Sequence, residues 1–372
     1  MTNSCSRPLA DVASSPRARV ARARRVVLKI GSRTLANERE VFGRLASSVA
    51  RARAAGRSVV IVSSGAIALG TKKLGYRARP KEMARLQAAA AAGQSVLMRA
   101  YEEAFLACGL AVAQVLLTHA DLADRTRGNN ARAALGALLE AGAVPILNEN
   151  DSVSVEEIKF GDNDELSAMV VPLVDADLLV LLSDVPGLLD AEGKRVPVIS
   201  DVAREAVALV RQTRSKEGTG GMVSKLEAAR RATLAGADAV IADAREPAIV
   251  DLVLAGEDVG TLFLAGDKRL SAKRHWIAFT LRPRGDLVLD PGAEKAVLGR
   301  GKSVLAVGVR GVRGDFRAGD SVRLVSADGT ELGRGLARLP VEEAVRQAGQ
   351  VRGPGEEAVV LVHRDELVLF GG

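Results

Sequence analysis

The sequence predicts an α/β protein: a three-layer αβα sandwich around a mainly parallel sheet, followed by a small, mostly β domain. Three observations predict it. From Val26 to about Val259, short apolar runs alternate with longer Ala/Leu/Arg-rich segments of helical spacing. The runs are continuously apolar, as in Asp177-Leu-Leu-Val-Leu-Leu182, which suits strands covered on both faces. After Arg282-Pro283-Arg284-Gly285 the texture changes to short β-like segments separated by Gly, Asp and Pro.

In chain order, the spacing predicts strands over Val26–Ile30, Ser58–Val62, Leu110–Leu117, Ala143–Leu147, Asp177–Leu182 and Ala239–Ala242. Helices are predicted over Arg39–Ala55, Lys81–Ala107, Asn130–Ala141, Glu165–Leu173, Val202–Gln212 and Met222–Ala235. The final part is predicted to hold strands at Asp286–Leu289, Ser303–Val307, Ser321–Val325, Val359–Val362 and Glu366–Leu369. These elements divide the chain into a disordered basic extension over residues 1–24, a large domain over 25–280 and a small one over 285–370.

Composition narrows the function classes. The 372 residues suffice for two domains with a large core, and the longest apolar runs are strand-sized, too short for a transmembrane helix. Cys5 and Cys108 stand far apart, with neither a disulfide framework nor metal-ligand spacing, which points to a reducing cytoplasm. Three histidines give little material for zinc chemistry or a Ser-His-Asp triad. Six Arg and one Asp in residues 1–25 account for +5 of the net +7, so the charge is mostly that of the N-terminal segment. That segment lacks a signal-peptide core and reads as a solvated tail.

The chemistry-bearing motifs all fall at predicted strand ends, where parallel sheets bind ligands. The densest is Asn148–Ala168, NENDSVSVEEIKFGDNDELSA, delivered by Val144-Pro145-Ile146-Leu147. Its Asn148, Glu149, Asn150, Asp151, Asp162, Asn163 and Asp164 suit a ligand with an amine and a carboxylate, or a magnesium ion. Asp162, Asn163 or Asp164 also suits a helix cap, which needs only one of them. Val26-Val-Leu-Lys29-Ile-Gly31-Ser32 places a lysine inside an apolar strand, where its ammonium needs a partner, and Gly31 admits a phosphate to the backbone. A snorkelling edge lysine is the plain alternative.

Val62-Ser63-Ser64-Gly65-Ala66 turns a strand into a helix, a geometry that binds carboxylates and phosphates as readily as it caps. Gly218-Thr219-Gly220-Gly221-Met222-Val223-Ser224-Lys225 opens another helix; it differs from the Walker A pattern. Leu182-Ser183-Asp184-Val185-Pro186-Gly187 reads as a strand end and turn that could floor a nucleotide pocket. Two lysines, intervening acids and glycine-rich turns together suggest phosphoryl transfer, which depends on positioning and charge neutralisation. A carboxylate acceptor is already ionised and needs no general base.

The ordered set VVLKIGS, IVSSGAIALG, NENDSV, KFGDNDELSA, LLSDVPGL and GTGGMVSK resembles the glutamate 5-kinases of the amino acid kinase superfamily, over about residues 25–280. Residues 285–370 resemble the PUA domain of many bacterial members. The resemblance implies ATP-dependent phosphorylation of the L-glutamate side-chain carboxylate, the first step of proline synthesis. It implies Mg2+ bridging the ATP phosphates, feedback inhibition by proline, a homodimer or homotetramer, and a glutamyl phosphate reductase as partner.

By motif, Lys29 and Lys225 resemble the lysines that stabilise the transferring phosphoryl group, and Asp164, with Asp162 beside it, the acid that orients them. Ser64, Gly65, Asn148, Asp151 and Asn163 match glutamate-holding positions. Lys29, Gly31, Ser183, Asp184, Thr219, Gly220, Gly221, Met222 and Lys225 match ATP-binding positions. The segment Gly187-Leu188-Leu189-Asp190 departs from the family's usual Gly-Leu-Tyr-Thr, and this loosens the adenine-side assignment.

Two other readings stand beside this one. A sibling kinase would share the fold and nucleotide site but phosphorylate aspartate, N-acetylglutamate, carbamate or another acid. An RNA-binding protein would act through the small domain. That domain is net neutral, with 13 basic and 13 acidic residues from Arg284 on, and Phe316 and Phe370 are its only aromatics. Arg310, Arg313, Arg317 and Arg323 are the residues that would form a local basic face.

Overall fold

The apolar runs become strands whose side chains alternate between two helical layers. A computed structural model describes residues 15–37, 40–153, 163–202, 205, 219–266, 269–351, 353 and 356–370. The chain divides into two units, residues 1–269 and 270–372.

Among the described residues of the first unit, eight strands form one sheet: β1 (Arg25–Ile30), β2 (Ser58–Ser63), β3 (Val112–Leu117), β4 (Val144–Glu149), β5 (Leu178–Ser183), β6 (Val198–Ile199), β7 (Asp238–Asp243) and β8 (Thr261–Phe263). Their order is β3-β4-β2-β1-β5-β7-β8-β6, and every pairing is parallel except β7 with β8. The helices are α1 (Arg17–Arg22), α2 (Ser32–Asn37), α3 (Glu40–Ala54), α4 (Ala66–Lys73), α5 (Met83–Leu106), α6 (His119–Ala123), α7 (Arg125–Glu140), α8 (Asn163–Leu173), α9 (Thr219–Leu234) and α10 (Ile249–Ala255).

The period-2 alternation of a strand assigns each residue to a face. Val26, Leu28 and Ile30 pack with Val49, Leu97 and Tyr101 from α3 and α5. Val27, Val60, Leu179 and Leu181 pack on the other side with Leu166, Val170, Ala229 and Ala232 from α8 and α9. Lys29 shares the parity of Val27, so its ammonium is delivered to the α8–α9 side. The chain runs from β1 to β2 on one side and places β5 on the other. A crevice therefore opens at the carboxyl ends of these central strands.

Several expectations need correction. Residues 15–24 were assigned to a disordered tail, yet α1 is ordered against the sheet. The Arg17 guanidinium is buried and donates to the carbonyls of Val259 (2.6 Å), Pro197 (2.9 Å) and Gly260 (2.9 Å), and it pairs with Asp258 (3.2 Å). Arginine was read as a solvated charge, but these carbonyls engage its two terminal nitrogens while Ala18 and Val20 bury the apolar face. Residues 270–280 fall with the second unit. Of the helix expected over Val202–Gln212, only Val202 and Glu205 lie within the described residues.

In the second unit the described strands are β9 (Gly285–Leu289), β10 (Val304–Leu305), β11 (Val309–Gly314), β12 (Ser321–Val325), β13 (Glu331–Ala337) and β14 (Val360–Leu369), in the order β10-β14-β13-β12-β9-β11. The two segments expected over Val359–Val362 and Glu366–Leu369 are one continuous strand. Leu287, Phe316, Val322, Leu324 and Val362 form a separate core for this unit.

Candidate active site

The carboxyl end of β1 presents Lys29, which is buried inside the sheet, and α8 opens beside it with Asp164, which is fully buried. Lys29 Nζ lies 2.5 Å from Asp164 Oδ1, and Lys225 Nζ from α9 lies 3.2 Å from Oδ2. Ser224 Oγ donates to the same Oδ2 at 3.1 Å. Lys225 Nζ also donates to the Gly221 carbonyl at 3.0 Å, one helical turn back. A buried carboxylate is costly unless it is paired and hydrogen-bonded, and this one has two ammonium groups and a hydroxyl. The cluster keeps one net positive charge, which suits it to further anionic groups.

On the other side, α8 places Asn163 against β2 and β4. Asn163 Nδ2 lies 2.7 Å from the Ser63 carbonyl, 2.9 Å from Ser64 Oγ and 2.9 Å from Asn148 Oδ1. Asn148 Oδ1 also accepts the Glu149 N–H at 2.9 Å, while its Nδ2 donates to Gln94 Oε1 at 2.8 Å. Behind this row, the buried Tyr101 hydroxyl donates to Ser63 Oγ at 2.9 Å. Burial pushes the Tyr101 phenol above its ordinary range, against the opposing effect of that bond.

Gly65 begins α4 at φ 102°, a left-handed conformation that favours glycine, and it turns the first N–H groups of the helix toward the crevice end of β2. Where α4 crosses α5, a Cβ on Gly70 would stand 1.7 Å from the Ala89 carbonyl oxygen, and one on Gly93 would stand 1.8 Å from that of Ala66. The two backbones therefore touch, and this contact fixes the start of α4 against the helix that carries Gln94 and Tyr101.

The remaining expected site residues are distributed as follows. Gly31 follows β1 with only the Leu182 carbonyl near its Cβ position, at 3.9 Å. Ser183 is buried at the end of β5 and Asp184 beside it is exposed; the Ser183 hydroxyl donates to Asp184 Oδ1 at 3.2 Å. Thr219, Gly220, Gly221 and Met222 form the first turn of α9 itself, where the sequence had suggested a turn ahead of a helix starting at Met222. Asp151 is half-buried in the turn after β4. Asp162 lies outside the described residues. Gln94, Tyr101 and Ser224 were missed by the motif reading. The signal was present in α5, whose inner face is apolar (Leu86, Ala90, Leu97, Phe105) except at Gln94 and Tyr101, two turns apart.

Residues 24–243, more than half of the chain, match the amino acid kinase family, and residues 285–352 match the PUA domain. The chain belongs to the amino acid kinase family. Within that family, a glutamate 5-kinase of Geobacter sulfurreducens is 44% identical over 94% of this chain and 99% of its own length. One from Myxococcus xanthus is 47% identical over 96% and 99%. Among solved structures, an N-acetylglutamate synthase from Neisseria gonorrhoeae, complexed with coenzyme A and L-arginine, aligns with a TM-score of 0.50 at 15% identity. It covers 79% of this chain and 70% of that one, a likeness of fold alone. This amino acid kinase fold holds its mainly parallel sheet between two helical layers, and the PUA unit has a sheet of its own. In the PUA unit, Arg323, offered above for a basic face, is taken up by Asp286 through two bonds of 2.6 and 2.9 Å. Among the described residues, no helix is long and apolar enough to cross a membrane.

Proposed function

We propose that this protein transfers the terminal phosphoryl group of ATP to the side-chain carboxylate of L-glutamate, giving L-glutamyl 5-phosphate. The observation that carries the reading is the Lys29–Asp164–Lys225 cluster at the strand ends, in a chain 43–47% identical to relatives named glutamate 5-kinase. Ammonium groups and helix N–H groups fit phosphate oxygens, so the donor set present suits a nucleoside triphosphate better than a bare divalent cation. Magnesium then enters on the nucleotide's phosphates and, when bound, adds to the neutralisation of their charge.

Under this reading Lys29 and Lys225 meet the charge that develops on the transferring group, and Asp164 holds the two ammonium groups in place. Gly31, Ser183, Asp184 and the first turn of α9 from Thr219 to Met222 border the nucleotide. The start of α4 at Gly65, with Ser64, Asn148 and Asn163, receives the acid, and Asp151 supplies the carboxylate that an α-ammonium requires. The acceptor is ionised at neutral pH, so no base has to remove a proton. An acyl phosphate is labile, and a reductase that consumes it at once fits that chemistry; proline synthesis and control by proline belong to the same reading through the resemblance to glutamate 5-kinases.

The test is an ATP-dependent assay with hydroxylamine trapping, run on L-glutamate, L-aspartate, N-acetyl-L-glutamate and carbamate. Hydroxamate with L-glutamate alone is the expected result. Signal with another acid and none with L-glutamate would overturn the assignment.

A further inference from the structure

The row of amides at the acceptor side has an orientation fixed by the backbone. Asparagine and glutamine oxygens and nitrogens are distinguished only through their partners. Here the partners are unambiguous at both ends. The Glu149 N–H is a donor, so the Asn148 atom facing it is oxygen, and Asn148 Nδ2 must face Gln94. Gln94 therefore presents Oε1 to Asn148. At the other end the Ser63 carbonyl is an acceptor, so Asn163 presents Nδ2.

Two consequences follow. Asn163 Nδ2 carries two hydrogens and faces three acceptors, so it engages the Ser63 carbonyl, Ser64 Oγ and Asn148 Oδ1 with two hydrogens between them. Gln94 keeps its whole NH2 group unspent. The residue is buried, at 8% exposure, and Nε2 has no hydrogen-bond partner among the described residues. Leaving a buried donor unsatisfied is costly, and the sequence retains one on an otherwise apolar helix face.

We propose that Gln94 is a specificity-determining residue of the acceptor pocket: Oε1 fixes the amide of Asn148, and Nε2–H donates to a carboxylate oxygen of the bound acid. The inference rests on the acceptor reading above. It assigns to α5 a direct part in recognising the acid, beside the strand-end residues. It also gives a reason for the α4–α5 glycine contact, which brings the Gln94 turn of α5 against the start of α4.

Two variants separate the parts of the proposal. Gln94→Glu keeps an oxygen toward Asn148, replaces the free NH2 by oxygen and adds a negative charge, so the donor is lost and an anionic acid is repelled as well. Gln94→Met keeps the volume and removes both polar atoms. For each, KM for L-glutamate, KM for ATP, kcat and Tm are measured in the full-length protein. Loss of one hydrogen bond to a charged group predicts a tenfold to hundredfold rise, roughly, in KM for L-glutamate. KM for ATP should stay within about twofold and kcat within about fivefold. A Gln94→Glu protein with wild-type KM for L-glutamate would show that Gln94 only holds Asn148 and would overturn the donor role. If Gln94→Glu does not fold, Gln94→Met decides: an unchanged KM for L-glutamate, or equal rises for both substrates, overturns the proposal. Failure of the wild-type protein to yield any glutamyl hydroxamate would instead remove the acceptor reading itself.

Discussion

At the residue scale, the central feature is one carboxylate serving two ammonium groups from different elements. Asp164 is fully buried, and its two oxygens are divided between Lys29 and Lys225. Lys225 is the better probe, because Lys29 is also embedded in the sheet core. Its charge matters most when the transferring phosphoryl group carries most negative charge, so Lys225→Ala should lower kcat by about 10²–10³ while KM for L-glutamate changes little. An unchanged kcat with weakened glutamate binding would argue against that placement. Tyr101 gives a second prediction, in pH. Its phenol is raised chiefly by burial, with the Ser63 bond acting the other way. Above pH ~10 the unfolded chain releases this proton and the folded one retains it. The folded state then binds more protons, so stability falls as pH rises, by up to about 1.4 kcal/mol per pH unit. Urea unfolding of Tyr101→Phe should lack that part of the alkaline slope; equal slopes in variant and wild type would contradict the assignment.

At the scale of elements, the α4–α5 crossing is set by two glycines that no Cβ-bearing residue replaces without moving backbone. Glycine inside a helix is unfavourable by about 1 kcal/mol relative to alanine, so its presence needs a reason. Gly93→Ala should separate the helices, cost about 1–3 kcal/mol in urea denaturation and raise KM for L-glutamate through the displaced start of α4. Gly136, inside α7 with nothing within 4 Å of its Cβ position, is the control. Gly136→Ala should stabilise by about 0.5–1 kcal/mol and leave both KM values alone. Destabilisation of similar size in both variants would mean that helix propensity, not the crossing, is being measured.

The same scale shows why some elements were legible. The central strands announced themselves because burial on both faces demands continuous apolar runs. Thr261–Phe263 and Val198–Ile199 are three and two residues long and carry no such signal. Lys29 and Asp164 stood out because lysine in a strand and acids at a strand end are unusual, and Lys225 because it follows a glycine run that opens a helix; the family resemblance supplied their roles. Gln94 did not stand out, because an amide among the several polar residues of this helix gains a role only when its neighbours across the fold are known.

At the scale of the whole molecule, every residue assigned to the site lies in the first unit, and the second unit has its own core of Leu287, Phe316, Val322 and Val362. The basic and acidic residues of that second unit are partly spent on each other, as Arg323 with Asp286 and Arg334 with Glu331 show. This internal pairing was not visible in its net-neutral composition. Separate cores and a one-sided site together make a thermodynamic prediction. A ligand stabilises the unit that binds it by an amount set by its concentration over its Kd, about 2.7 kcal/mol at a hundredfold excess. For a unit of this size that corresponds to a rise in Tm of roughly 5–10 °C. Differential scanning calorimetry with a non-hydrolysable ATP analogue, magnesium and L-glutamate should therefore raise one transition by that amount. A second transition, assigned by a PUA-unit core variant such as Val322→Ala, should move by less than about 1 °C. A single transition shifted as a whole would mean that the units unfold as one cooperative body. A shift of the PUA transition alone would place the ligands outside the strand-end crevice.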